Sequence, residues 1–228
     1  MTPRFMQSTR RAFLGSAALG VVASALPARA EQEPVALEDY KPEFFAPAEW
    51  VFVMAAAARI IPSEGEGPGA LEARVPVFID RQLAGEFGAA ADLYMEGPFE
   101  PGADENLGPQ SPLTPAEIYR EGIAAFDSWC LDQKGAEFAG LEAGAQDEAL
   151  TSLADGDAGL DAEVREFWLL LLQNVKEGYF ADPKYGGNHD MASWVHIGFP
   201  GARANFLEWV GRDEPYPLGP VDIAGNRA

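Results

Sequence analysis

One cysteine, Cys130, and two histidines, His189 and His196, are all the thiol and imidazole ligands that 228 residues offer to a metal ion. A single thiol excludes a C-x-x-C-H haem attachment, a thiolate-held iron–sulfur cluster and any internal disulfide. The sequence has no G-x-G-x-x-G dinucleotide fingerprint, no G-x-x-x-x-G-K-S/T phosphate loop and no G-x-S-x-G nucleophile elbow. Positive charge is scarce: 16 Lys and Arg stand against 36 Asp and Glu, a formal net charge of −20. Such a surface repels phosphate backbones and anionic headgroups, so nucleic-acid partners and electrostatic membrane docking are not expected. No stretch alternates with period two, which removes the usual signal for half-buried strands. Apolar residues are not lacking. At 47% of the chain, with 14 Phe and 5 Trp, they exclude disorder despite the charge.

The first thirty residues have their own organisation. Thr9-Arg10-Arg11-Ala12-Phe13-Leu14 leads into an apolar run from Ala12 to Leu26, and Ala28-Arg29-Ala30 supplies a small-x-small cleavage site. Residues 1–30 are therefore expected to be a twin-arginine export signal read at Arg10 and Arg11, with the product delivered to the periplasm. An ordinary secretory signal that happens to contain Arg-Arg is the alternative. The run is short and diluted by Gly15 and Gly20, so no membrane span is expected once the signal is removed. The remaining 198 residues hold 12 basic and 36 acidic side chains, a charge of about −24. The twin-arginine route carries folded proteins, usually with a cofactor inserted beforehand, yet this chain has no cofactor motif. Either it leaves bound to a partner that carries one, or it is a fast-folding passenger that uses the route alone.

Downstream the pattern is mainly α: a single helical domain over 47–212 with long irregular Pro- and Gly-rich loops. An extended lead-in over 31–46 precedes it and an extended tail over 213–228 follows. Pro47 opens a helix that ends at Pro62 and is apolar on nearly every face, as a buried central helix is. A second helix is expected over 71–84, with Val75, Phe78, Ile79 and Leu83 on one face. Residues 97–115 hold five prolines and three glycines, too many for regular structure. Thr114-Pro115-Ala116-Glu117 is a capping box opening a third helix, which carries Cys130 at the edge of its apolar stripe. A short helix over 146–153, a strong one over 161–177 stopped by Gly178, and a last one over 202–210 complete the expectation.

The segment between the last two helices is irregular and aromatic, and it draws the candidate site residues together. Tyr185, Trp194 and Phe199 are either core residues or anchors of an interface, where aromatics are enriched. Gly186-Gly187-Asn188 reads as a tight turn, with positive φ at both glycines and Asn188 bonded to the backbone, or as a nest for a phosphate. His189 and Asp190, with Asp182 and His196 nearby, are a weak metal or acid–base constellation. Cys130 is either a buried thiol or one half of a bridge to another chain.

Asp182-Pro183-Lys184-Tyr185-Gly186-Gly187-Asn188-His189-Asp190-Met191, continued by Trp194 and Ile197-Gly198-Phe199-Pro200-Gly201-Ala202, resembles the signature of the gluconate 2-dehydrogenase subunit 3 family. Ile60-Ile61-Pro62, Phe78-Ile79-Asp80, Tyr94-Met95-Glu96-Gly97-Pro98 and Leu113-Thr114-Pro115 follow in the same order, so the resemblance covers most of residues 45–205. His189 stands where the family commonly has Arg. Ser193, Val195 and His196 replace its more usual Gly, Lys and Leu. The resemblance implies a small subunit that itself holds no cofactor, catalytic residue or metal. Its partner would be an FAD-containing large subunit of the glucose–methanol–choline type that oxidises sugars, sugar acids or polyols. Frequently a multihaem c-type cytochrome completes such complexes. The small subunit would then act as export escort and stabiliser, with Tyr185, Gly186, Gly187, Asn188, His189, Asp190, Trp194 and Phe199 as candidate interface and Cys130 as candidate intersubunit disulfide. A free-standing periplasmic enzyme with its site in the 182–199 loop is the competing reading.

Overall fold

The computed structural model describes residues 36–228 apart from 101, 105, 106, 108, 109, 162, 163 and 215; residues 1–35, and with them Arg10 and Arg11, lie outside the described residues. Pro47 fills the first position of α1 (Pro47–Ile60), where a missing N–H costs nothing. The Glu49 carboxylate accepts the Ala46 N–H at 2.7 Å and closes that end. Phe52, Val53, Ala56 and Ala57 are buried, but Val51 is exposed. The helix is thus buried on one side, not enclosed as its apolar sequence suggests.

α2 (Val75–Ala84) begins four residues later than expected, because turns occupy 71–74 and Arg74 adopts a left-handed φ of 55°. Val75, Phe78, Ile79 and Leu83 are buried as their spacing predicts, and so is Asp80. The capping box forms at α3 (Pro115–Lys134): Glu117 N–H donates to Thr114 Oγ1 at 3.3 Å and Thr114 N–H to Glu117 Oε2 at 2.8 Å. α4 (Ala143–Ala154), α5 (Phe167–Phe180) and the short α6 (Ala192–Ile197) follow. Among the described residues there is no strand, only isolated bridges at Val221.

A cluster of rings from α1, α3, α5 and the turn at Phe138 forms the centre. Phe52, Tyr119, Phe126, Phe138 and Phe167 sit with neighbouring centroids 5.1–6.1 Å apart. Tyr119 is fully buried, and its hydroxyl donates to Asn174 Oδ1 at 2.9 Å, so the one polar tip in the cluster is satisfied.

Two further expectations about helices fail. α5 starts at Phe167, not Asp161, and runs through Gly178 to Phe180. Gly178 is not a stop but a contact: a Cβ there would lie 2.8 Å from Cδ1 of Phe78 on α2. The expected helix over 202–210 is absent, and a single 3-10 turn at Leu207–Trp209 takes its place. Asn205 Oδ1 accepts the Leu207 N–H at 3.2 Å at the start of that turn, and Leu207 and Val210 remain exposed. Instead the Arg203 guanidinium lies over the rings of Phe206 and Tyr216 and pairs with Glu208.

Leu37–Ala228 is one compact unit. Asp80 accepts four hydrogen bonds from the lead-in: Tyr40 Oη at 2.8 Å, Glu43 N at 2.8 Å, Phe44 N at 3.0 Å and Phe45 N at 3.1 Å. A fully buried carboxylate is tolerable only with such partners. Burial, and after it the bond to Asp80, push the Tyr40 hydroxyl well above its ordinary range.

Candidate partner interface

Segment 182–202 leaves the end of α5 and spends its polar groups on its own backbone. Asp182 is buried; its Oδ1 accepts Lys184 N–H at 3.1 Å and its Oδ2 accepts Ile223 N–H from the tail at 2.7 Å. Pro183–Tyr185 is one 3-10 turn closed by Gly186 at φ 102°. Gly187 follows in ordinary backbone, contrary to the expectation of positive φ, yet it has its own reason to be glycine. A Cβ there would lie 2.1 Å from the Gly178 carbonyl oxygen, so the segment touches α5 backbone to backbone.

Asn188, fully buried, is the clasp. Its Nδ2 donates to the Ala181 carbonyl at 2.9 Å and its Oδ1 accepts Ser193 N–H at 3.0 Å, tying the end of α5 to the start of α6. Asn188, Asp190 and Met191 all have φ between 44° and 55°. Asn and Asp adopt that conformation readily, whereas Met pays on the order of 1–2 kcal/mol. Burial of Met191 and the clasp at Asn188 hold the turn in place.

A six-residue helix is far too short to persist alone. α6 is held by Trp194, whose Nε1–H donates to the Phe180 carbonyl at 2.8 Å and whose ring meets Phe199 edge-on at 5.1 Å. Trp194 is 5% exposed. It is a core residue of this chain, which corrects its assignment as an interface anchor. Gly187 and Asn188 are likewise enclosed, and His189 is half-buried. Tyr185, Asp190 and Phe199 remain open to a second chain.

The acid–base constellation does not assemble. His189 Nδ1 lies 3.3 Å from Asp190 Oδ1. Burial holds the His189 imidazole below its ordinary value, the Arg74 cation adds to this, and Asp190 opposes it. His196 is exposed and lies against Gly67, and Asp182 is engaged by backbone N–H groups. Among the described residues no group of three or more His, Cys, Asp or Glu could hold a metal, and no helix is long and apolar enough to cross a membrane. Cys130 is fully buried in the core, and burial, reinforced by Asp127, pushes its thiol up to about 12. A bridge to another chain would require that side chain to leave the core, so the structure assigns Cys130 to packing.

Sequence reasoning missed three exposed apolar residues near Trp194 in sequence or by its hydrogen bond: Phe180, Val195 and Ile197 are 46%, 56% and 54% exposed, while Phe199, already a candidate, is 43%. Apolar residues at 195 and 197, flanking an exposed His196 beside an indole, were the available signal. Also missed was the tail: Val221 N–H donates to the Pro200 carbonyl at 3.2 Å and Ala202 N–H to the Val221 carbonyl at 2.7 Å.

Among the described residues fold and site define a mainly helical protein that carries a braced, partly apolar turn after α5. Residues 47–201 match the family of gluconate 2-dehydrogenase subunit 3, and the chain belongs to that family. Searches of curated proteins and of solved structures gave no match.

Proposed function

We propose that this chain is the non-catalytic small subunit of a periplasmic, FAD-dependent dehydrogenase of the glucose–methanol–choline type acting on a sugar or sugar acid. In this reading the FAD and the hydride chemistry reside in the large subunit, and a multihaem cytochrome c is a further partner in complexes that pass electrons onward. The small subunit stabilises the flavoprotein and escorts it through the twin-arginine route by means of Arg10 and Arg11. Membership of the subunit 3 family supports a place in a dehydrogenase complex. One structural observation carries the non-catalytic assignment: both carboxylate oxygens of Asp182, the whole amide of Asn188 and the indole N–H of Trp194 are engaged in holding the signature's own backbone. The competing enzyme reading retains only the His189–Asp190 pair.

The test is to replace Arg10 and Arg11 by Lys in cells that also make the flavoprotein, and to follow both chains by fractionation. Both are expected to stay in the cytoplasm. A flavoprotein that still reaches the periplasm overturns the escort role, and sugar oxidation by the purified chain with an added acceptor dye overturns the non-catalytic assignment.

A further inference from the structure

We infer that Arg81 and Lys184 form a cationic docking spot at Tyr185-Gly186, and that it takes a carboxylate-bearing segment of the dehydrogenase subunit; the inference rests on the proposed function above. Two elements build the spot. Arg81 leaves α2 and lies against the turn after α5: a Cβ on Gly186 would be 3.1 Å from its Nη1 and 3.2 Å from its Cδ. Lys184 Nζ lies 4.6 Å from the centre of the Tyr185 ring, and Tyr185 is 44% exposed. Consecutive Cα atoms are about 3.8 Å apart, so both cations border one residue pair. Both side chains belong to exposed residues. The turn beneath them is braced by Asp182, by the Asn188 clasp and by the Gly187–Gly178 approach. A surface so held loses little conformational entropy on binding.

Charge selects both the place and its occupant. Residues 47–201, the part shared with a family of dehydrogenase subunits, hold eight Lys and Arg in a protein of net charge −20. Arg59, Arg120 and Lys134 are spent on Asp147, Glu49 and Glu148. Arg81 and Lys184 have no ion pair among the described residues, and the buried Asp80 beside Arg81 has both oxygens filled by the lead-in. Arg165 and Lys176 are eleven positions apart and share no such residue pair. Arg74 adds positive charge at His189 in the same turn; Asp190 is the one exposed carboxylate among residues 182–191. A guanidinium fork and a neighbouring ammonium suit carboxylates, and opposite charge guides the two surfaces together. A second copy also offers carboxylates, but two chains of net charge −20 repel. An anionic lipid surface is disfavoured for the same reason.

The experiment co-expresses the full chain with its flavoprotein and measures affinity across a range of NaCl, with melting temperatures, for Arg81→Gln, Lys184→Glu and Lys176→Glu. Arg81→Gln and Lys184→Glu are expected to weaken the complex about tenfold at low salt, chiefly by slowing association, with melting temperatures close to the unaltered chain's. The gap should narrow as salt is raised, because screening removes the attraction from the unaltered chain first. Lys176→Glu, an exposed charge on α5, is expected to bind normally and controls for net charge alone. An affinity and salt dependence matching the unaltered chain in either Arg81→Gln or Lys184→Glu overturns the docking spot. So does an equal loss in Lys176→Glu, or a drop in melting temperature that accounts for the weaker binding. Self-association of the isolated chain that Lys184→Glu disperses overturns the choice of occupant. If the unaltered chain retains no flavoprotein, the proposed function itself falls. If it does and either variant matches it, only the placement of the spot falls.

Discussion

Two buried aspartates fasten the two terminal segments of this protein, and they do so with different reach. Asp80 sits on the apolar face of α2, fully buried, and gathers four donors from the lead-in between Tyr40 and Phe45. Asp182 starts the irregular turn after α5 and gathers two, one from its own turn and one from the tail at Ile223. The first carboxylate is part of a helix that packs on α5, the most extensive helix contact in the fold. The second belongs to a segment that rests on α5 through Gly187, the Asn188 clasp and Trp194, and on the turn before α2 through His189 N–H to the Ala73 carbonyl at 3.2 Å. The same device therefore protects the whole core in one place and only a surface turn in the other.

Asp80→Ala tests the first half of that contrast and has the largest expected effect. Bonds to a charged group contribute about 1.5–3 kcal/mol each and overlap in their effects, so a loss on the order of 3–5 kcal/mol is expected. In a unit of this size that lowers the melting temperature by roughly 10 °C or more. A shift of only a degree or two would mean that the lead-in is an ornament.

Asp182→Ala is expected to cost less, about 1.5–3 kcal/mol, and to act locally. Hydrogen exchange should quicken in residues 182–202 and 219–228 and stay unchanged in α1, α3 and α4. Cys130 supplies an internal reporter, because its buried thiol reacts with a maleimide only when the core opens. Labelling should accelerate in Asp80→Ala and not in Asp182→Ala. Equal acceleration in both would erase the distinction between them.

The smallest effect concerns acid. His189, beside the Asp182 turn, titrates below its ordinary value when folded because of burial and Arg74. The unfolded chain, with a value near 6.5, therefore takes up this proton first as pH falls. The contribution is fully present above that value and is lost as pH drops through 6.5 toward the lowered folded value. Melting temperatures between pH 7.5 and 5.5 should decline less steeply in His189→Gln. An unchanged slope would show that the environment of His189 does not matter to stability.

How much of this could be read from residues alone varies with how local the cause is. The capping box at Thr114 and Glu117 was legible because every atom involved lies within four residues. Gly178 was misread as a helix stop, since its reason is the Phe78 ring about a hundred positions away in the chain. The helix expected over 202–210 is absent, and the Arg203 contacts to Phe206 and Tyr216 in its place join residues up to thirteen apart that no local spacing connects. Asp80 left a trace that went unused: a lone carboxylate in the apolar stripe of Val75, Phe78, Ile79 and Leu83 must have partners somewhere. The signature segment stood out by its composition, but which of its aromatics faced inward depended on Phe180 offering a carbonyl to Trp194. No spacing rule conveys that.

The order of synthesis gives the tail contacts a further meaning. Asp182, Pro200 and Ala202 receive their partners from Val221 and Ile223, so the turn between them cannot be drawn shut until translation has passed residue 223. The aromatic core, by contrast, is complete once α5 has emerged, some forty residues earlier. A ribosome-bound chain thus passes through a stage in which the body is built and the turn still lacks its tail contacts. The finished turn therefore reports that residues 221–223 have been made, a later event than completion of the aromatic core.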